Sequence, residues 1–138
     1  MDTNILIYTF DANAPHKQRK AYQLVATALK TQAGIISFQV VQEFLNVATR
    51  KFKTPLTLQE AEKYTRQVLA PLCEVLSHIE LYLKAVKIME RWQYSFYDSL
   101  IIAAALQAQC KILYTEDLQH EQLIESTLII QNPFLNNN

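Results

Sequence analysis

The sequence predicts an α/β fold, a short parallel sheet flanked by helices, on three observations. Short apolar runs without polar–apolar alternation are interleaved with longer helical patterns, as buried parallel strands are with crossover helices. A single glycine stands among 138 residues, so the glycine-dependent turns that an all-β sandwich needs are scarce. Half of the residues are hydrophobic and 19% are charged, a globular composition with enough apolar volume for one core.

Taken in chain order, roughly 16–32 and 38–52 carry apolar residues at three- and four-residue spacing and read as helices. Gly34-Ile35-Ile36 between them reads as a strand. Thr57-Leu58-Gln59-Glu60 is a capping box, in which the hydroxyl accepts from the amide three residues on and the carboxylate reaches back. It opens a helix over roughly 58–70. Ser77-His78-Ile79-Glu80 repeats the pattern ahead of 78–93, and Ser95-Phe96-Tyr97-Asp98 is a weaker form ahead of 98–110. Glu74-Val75-Leu76, Lys111-Ile112-Leu113-Tyr114 and Leu128-Ile129-Ile130 complete the strands. There is no internal repeat. The expected organisation is one domain over residues 1–135, with Asn136-Asn137-Asn138 a frayed tail.

In an open α/β sheet, sites form beyond the carboxyl ends of the strands. Four carboxylates fall near such places. Asp117 follows Ile112–Tyr114, Asp98 opens its helix, Asp2 stands at the start of the chain, and Glu43 borders the apolar arc of Val40, Val41, Phe44, Val47 and Ala48. Singly, each also reads as a helix cap, a turn residue, a terminal residue or a boundary residue. Together they would repel one another and raise one another's pKa, unless a cation joins them. An oxygen-only donor set selects a hard ion, Mg²⁺ or Mn²⁺, and no His/Cys set has zinc spacing. Such an ion activates water and neutralises a phosphodiester. Formal net charge is zero, so contact with a polyanion must be local or made through that metal.

Four ordered blocks carry a resemblance to the PIN-domain ribonucleases, especially the VapC-type toxins of bacterial toxin–antitoxin modules. Asp2-Thr3-Asn4-Ile5-Leu6-Ile7-Tyr8 resembles the opening block, Ser37–Phe44 with Glu43 the second, Tyr97–Ala105 with Asp98 the third, and Leu113–Leu118 with Asp117 the fourth. The resemblance implies a three-layer PIN-like fold. It implies an endoribonuclease in which Asp2, Glu43, Asp98 and Asp117 are both catalytic and metal-ligating, with cleavage leaving a 5′-phosphate. An antitoxin partner and a homodimer are implied as well. Two departures stand out. Family members carry an apolar first strand ahead of the opening Asp, whereas only Met1 precedes Asp2 here, so an upstream start or an impaired form is expected. After Asp117, the further Asp and Gly seen in relatives are replaced by His120-Glu121.

Thr3, Asn4, Thr115 and Glu116 adjoin the acids and are candidates to orient ligands or water. Lys17, Arg19 and Lys20, and Arg50-Lys51-Phe52-Lys53, are candidate phosphate contacts or solvated faces. Tyr94, Phe96 and Tyr97 are candidates for stacking on a splayed base or for core. The apolar early helices offer a dimer face or an antitoxin groove. Cys73 and Cys110 read as free thiols of a reducing cytosol. With no basic-then-apolar leader and no run near 18 apolar residues, a soluble cytoplasmic protein is expected. The rival reading is a catalytically silent PIN-like module that binds RNA or a partner protein. An Asp-nucleophile phosphatase lacks its Asp-x-Asp.

Overall fold

The structure, a computed structural model, describes residues 1–135; the expected frayed tail at Asn136–Asn138 lies outside them. Its elements are α1 (Thr3–Tyr8), α2 (Pro15–Thr31), β1 (Ile36–Ser37), α3 (Phe38–Arg50), α4 (Leu58–Tyr64), α5 (Ala70–Leu72), β2 (Cys73–Val75), α6 (Ile79–Trp92), α7 (Phe96–Gln107), β3 (Ile112–Tyr114), β4 (Leu123–Ile124) and β5 (Leu128–Gln131). The α/β expectation holds, with differences of detail. The helix expected over 58–70 widens into a π-helical stretch, Thr65–Leu69, before α5. The last strand is met by an antiparallel one, β4, which the sequence reading did not contain.

Local chemistry accounts for the helix ends. The Thr57 capping box forms in full, with Glu60 N donating to Thr57 Oγ1 at 3.2 Å and Thr57 N to Glu60 Oε2 at 2.8 Å. The box expected from Ser77 does not form. His78 is the cap, its Nδ1 accepting from Leu81 N at 3.2 Å, while the Ser77 hydroxyl pairs with Tyr82 OH. Since glycine is scarce, glutamines end helices in the left-handed region: Gln32 at φ 57° and Gln93 at φ 59°. The one glycine is needed for space, because a Cβ on Gly34 would stand 2.2 Å from Ala28 Cβ of α2.

The sheet is in two pieces. β1 pairs in parallel with β2, while β5 lies between β3, parallel to it, and β4. Residues 1 and 2 link the pieces: the Met1 ammonium donates to Ile35 O at 2.9 Å, and Asp2 N donates to Tyr114 O at 2.9 Å. Asp2 is thereby fixed beside the carboxyl end of β3, with Met1 against the residue that precedes β1. A cavity of about 700 Å³ adjoins Met1, between α2 and the strand ends at Ile35 and Ile112. One continuous cluster of buried side chains, including Ile5, Leu6, Val40, Phe44, Ile102, Leu113 and Ile130, packs both sheet pieces against the helices.

Burial holds the Met1 ammonium below its usual pKa of 8.0, against the opposing charges of Cys110 and Asp2. A cation so placed is costly. The unfolded chain binds the proton more tightly, so this group makes stability rise with pH up to about 8. Adding two or three apolar residues ahead of Met1 replaces the ammonium by an amide. The extended protein is expected to melt higher below pH 8 and to lose that rise with pH, as read by thermal melts of the two forms.

Candidate active site

Asp2 caps α1: its Oδ1 accepts from Thr3 N at 2.7 Å. Its other oxygen, Oδ2, accepts from the Thr115 hydroxyl at 2.7 Å. Thr115 is 1% exposed and follows β3 directly, so its hydroxyl has little freedom. The same Thr115 Oγ1 accepts from Asp117 N at 3.1 Å, which shapes the turn carrying that acid. Asn4, in the first turn of α1, donates from Nδ2 to Asp117 Oδ2 at 3.2 Å.

Glu43 enters from α3. The apolar side of this helix is buried through Val40, Phe44 and Ala48, which turns Glu43 to the edge facing α1. There its Oε2 accepts from the buried Thr3 hydroxyl and its Oε1 from Gln39 Nε2 at 2.8 Å. Asp98 lies in the first turn of α7, where a carboxylate favours the helix dipole. Its Oδ2 accepts from the Ser95 hydroxyl at 2.9 Å, and its own N–H returns to that hydroxyl at 3.3 Å.

The electrostatics link three of the acids. The Asp117 carboxyl is pushed up from 3.8 to about 6, first by burial, then by the charge of Asp2, a hydrogen bond with Asp2, and the charges of Glu116 and Asp98. The residue as a whole is exposed, so the crowding of carboxylates is the cause that matters for chemistry. Asp2 and Asp117 are joined through Thr115, whose hydroxyl donates to the one and accepts from the N–H of the other, and the charges of Asp2 and Asp98 both bear on Asp117. Glu43 is tied in through Thr3, the neighbour of Asp2. Among the described residues, no three of His, Cys, Asp or Glu stand together as a ready-made metal cage; Glu43 and Asp98 are held by hydrogen bonds of their own. The donor set is nevertheless all oxygen, carboxylate-rich and mutually repulsive, which is the chemistry that a hard divalent cation relieves.

Glu116 faces away from this cluster. It accepts from Tyr8 OH at 2.5 Å and from Lys17 Nζ at 2.7 Å. Lys17 also lies 4.5 Å from the Tyr8 ring centroid. So Lys17, read in the sequence as a possible phosphate contact, is engaged in tying α2 to the turn before Asp117. Gln39 is the polar contact that the sequence reading did not single out, whereas Ser95 stood in it as the cap of the helix that carries Asp98. Gln39 was legible as the residue four before Glu43 on the same helix face. Cys73 and Cys110 are free and partly buried, and burial raises both thiols above their usual pKa.

Asp2 and Asp117 thus lie beside the end of β3, Glu43 on α3 and Asp98 at the start of α7, each oriented by a hydroxyl or amide donor. The chain belongs to the PIN domain family, whose model matches residues 1–125. That family is one of nucleases, and its members generally work with divalent metals. No curated protein matches the chain in sequence. No helix among the described residues is long and apolar enough to cross a membrane.

The Thr115 contact has a checkable consequence. Thr115→Val keeps the shape but removes the donor to Asp2 and the acceptor for Asp117 N. A supporting contact of this kind is worth about 10- to 100-fold in metal affinity or activity, and that loss is expected in a Mn²⁺ titration, with the far-UV circular dichroism unchanged.

Proposed function

We propose that the protein is a Mg²⁺- or Mn²⁺-dependent endoribonuclease in which Asp2, Glu43, Asp98 and Asp117 hold the metal and the scissile phosphodiester between them. The observation that carries this reading is the shared hold of Thr115 on Asp2 and on the turn of Asp117, with the charges of Asp2 and Asp98 both bearing on Asp117. When bound, the cation supplies an activated water and neutralises charge on the phosphodiester. The chain's own residues do the positioning: Thr115 holds one oxygen of Asp2, Thr3 and Gln39 hold both oxygens of Glu43, Asn4 holds Asp117, and Ser95 holds Asp98. Thr3, Asn4 and Thr115 are the supporting set in this proposal. Glu116 acts from further out, through Lys17 and Tyr8.

The finer identity rests on the resemblance to VapC-type proteins. In this reading the chain acts as a single PIN-like domain over 1–135, is cytoplasmic, and is the toxin of a type II toxin–antitoxin pair. It is held by a cognate antitoxin protein and works as a homodimer. The exposed stripe of Ile79, Leu83 and Val86 on α6, at 67%, 58% and 54% exposure, is the kind of surface such partners cover. A second reading, the catalytically silent PIN-like module, is favoured by one observation, the lack of a ready-made three-acid cage among the described residues.

Cleavage of an end-labelled RNA pool by the protein and by Asp98→Asn separates the two. The nuclease reading expects cutting with Mg²⁺ or Mn²⁺ that EDTA and the substitution both abolish. RNA bound but left whole with either metal would establish the silent module.

A further inference from the structure

Beside the acid cluster, between the start of α3 and the helices α6 and α7, lies a cavity of about 180 Å³. Drug-sized ligands occupy pockets of ~300–1,000 Å³, so this one fits a single small ring system. Its walls include Phe38, Tyr82, Phe96 and Tyr97, with Ser37 and Gln39 among the polar groups. Tyr82 and Phe96 stack with centroids 6.3 Å apart, and Tyr97 stands edge-on to Phe96 at 5.3 Å. Tyr97 is 64% exposed, so its ring is free for a guest. None of the residues lining the cavity is charged, which disfavours a phosphate or carboxylate and favours a neutral ring.

Two polar atoms there lack a partner among the described residues: Ser37 Oγ and Gln39 Oε1. Ser37 is 7% exposed, and a buried polar atom left unpaired is uncommon. The role of Gln39 Oε1 is fixed by its neighbour. A carboxylate only accepts, so Gln39 must turn its Nε2 to Glu43, which leaves Oε1 as an acceptor. The cavity thus combines aromatic faces, a hydroxyl and a fixed acceptor, the complement of a flat heteroaromatic ring with an N–H edge.

We propose that this cavity is the binding site for one unpaired nucleobase of the RNA, adjoining the phosphodiester to be cut. The inference rests on the nuclease reading for its geometry. Gln39 joins the cavity to Glu43, and Tyr97 adjoins Asp98, so a base seated here brings its own phosphate toward the acids. Stacking on exposed aromatics and hydrogen bonding to the base edge is how single-stranded RNA is read, and a duplex would not present the base.

The test separates binding from cleavage. Labelled, degenerate single-stranded RNA hexamers are titrated in EDTA, with fluorescence anisotropy as the readout, against the full chain, Tyr97→Ala, Tyr97→Trp and Ser37→Val. One base–aromatic stack is worth roughly five- to 100-fold in affinity. Tyr97→Ala is expected to lose that much for single strands, Tyr97→Trp to recover it, and Ser37→Val to change which base is preferred at one position. Wild-type affinity in Tyr97→Ala with an unaltered base preference in Ser37→Val overturns the proposal, as does the absence of any single-strand binding. An equal loss for duplex RNA overturns it too. Failure of the nuclease reading looks different: hexamers bind and depend on Tyr97, yet no metal brings about cutting.

Discussion

Asp117→Asn is expected to do two opposite things, making the metal-free protein more stable at neutral pH while abolishing metal-dependent cleavage. The carboxyl is held at about 6 by burial and by the neighbouring charges of Asp2, Glu116 and Asp98. Because the folded pKa lies above 3.8, the folded protein holds a proton between about pH 4 and 6 that the unfolded chain has released. The group therefore weakens the metal-free fold as pH rises through that window. The amide carries no charge and keeps an oxygen for Asn4 Nδ2 to donate to. Melting in EDTA at pH 5 and pH 7.5 should show the wild type falling behind the variant on going to the higher pH, the contribution of Met1 being common to both. Cleavage with Mn²⁺ should fall by more than about 100-fold, beyond the 10- to 100-fold typical of a group that only supports a ligand. A variant destabilised at pH 7.5 would show that Asp117 is a structural hydrogen-bonding residue.

Phe44→Ala is expected to cost about 3–5 kcal/mol, the usual range for deleting a buried phenyl ring. Phe44 is fully buried. Its ring stacks on Tyr64 at 4.8 Å and contacts Phe10 at 5.9 Å and Phe52 at 6.3 Å, so it joins α3 to α4 and to the segments after α1 and α3. Each such aromatic pair adds about 0.5–1.5 kcal/mol beyond area burial, which places the result toward the upper end. Urea unfolding is the measurement, with the midpoint falling and the m-value held. Since Glu43 is the preceding residue, the variant should also bind Mn²⁺ more weakly, while Phe52→Ala, at the cluster's edge, should affect stability less.

The scaffold was legible where chemistry is local. The Thr57 capping box and the position of Asp98 in the first turn of its helix follow from neighbouring residues alone, and both appear in the structure. Thr3, Asn4 and Thr115 were named for adjoining the acids, and the structure gives each a hydrogen bond to one of them. What escaped depends on distant partners. The Lys17–Glu116 pair joins residues 99 positions apart, and no run of charges announces it. β4 has two residues and exists through its pairing with β5, below the length at which periodicity speaks. The Ser77 capping box failed because His78 could cap the same helix from one position later. The acids were read as converging on a cation; the structure links Asp2 to the turn of Asp117 through Thr115 and ties Glu43 to Thr3, the neighbour of Asp2, while Asp98 keeps to its own cap with Ser95.

Thermal melting with increasing Mn²⁺, on the full chain and on Asp2→Asn, tests the central claim that these carboxylates form one cation site. A ligand that binds only the folded state stabilises it by about 2.7 kcal/mol at 100 times its dissociation constant. The expected result is a saturable rise in melting temperature for the wild type, larger at pH 7.5 than at pH 5, where Asp117 is protonated, and lost in Asp2→Asn. A melting temperature indifferent to millimolar Mn²⁺ at pH 7.5, or a rise that Asp2→Asn retains in full, would contradict it.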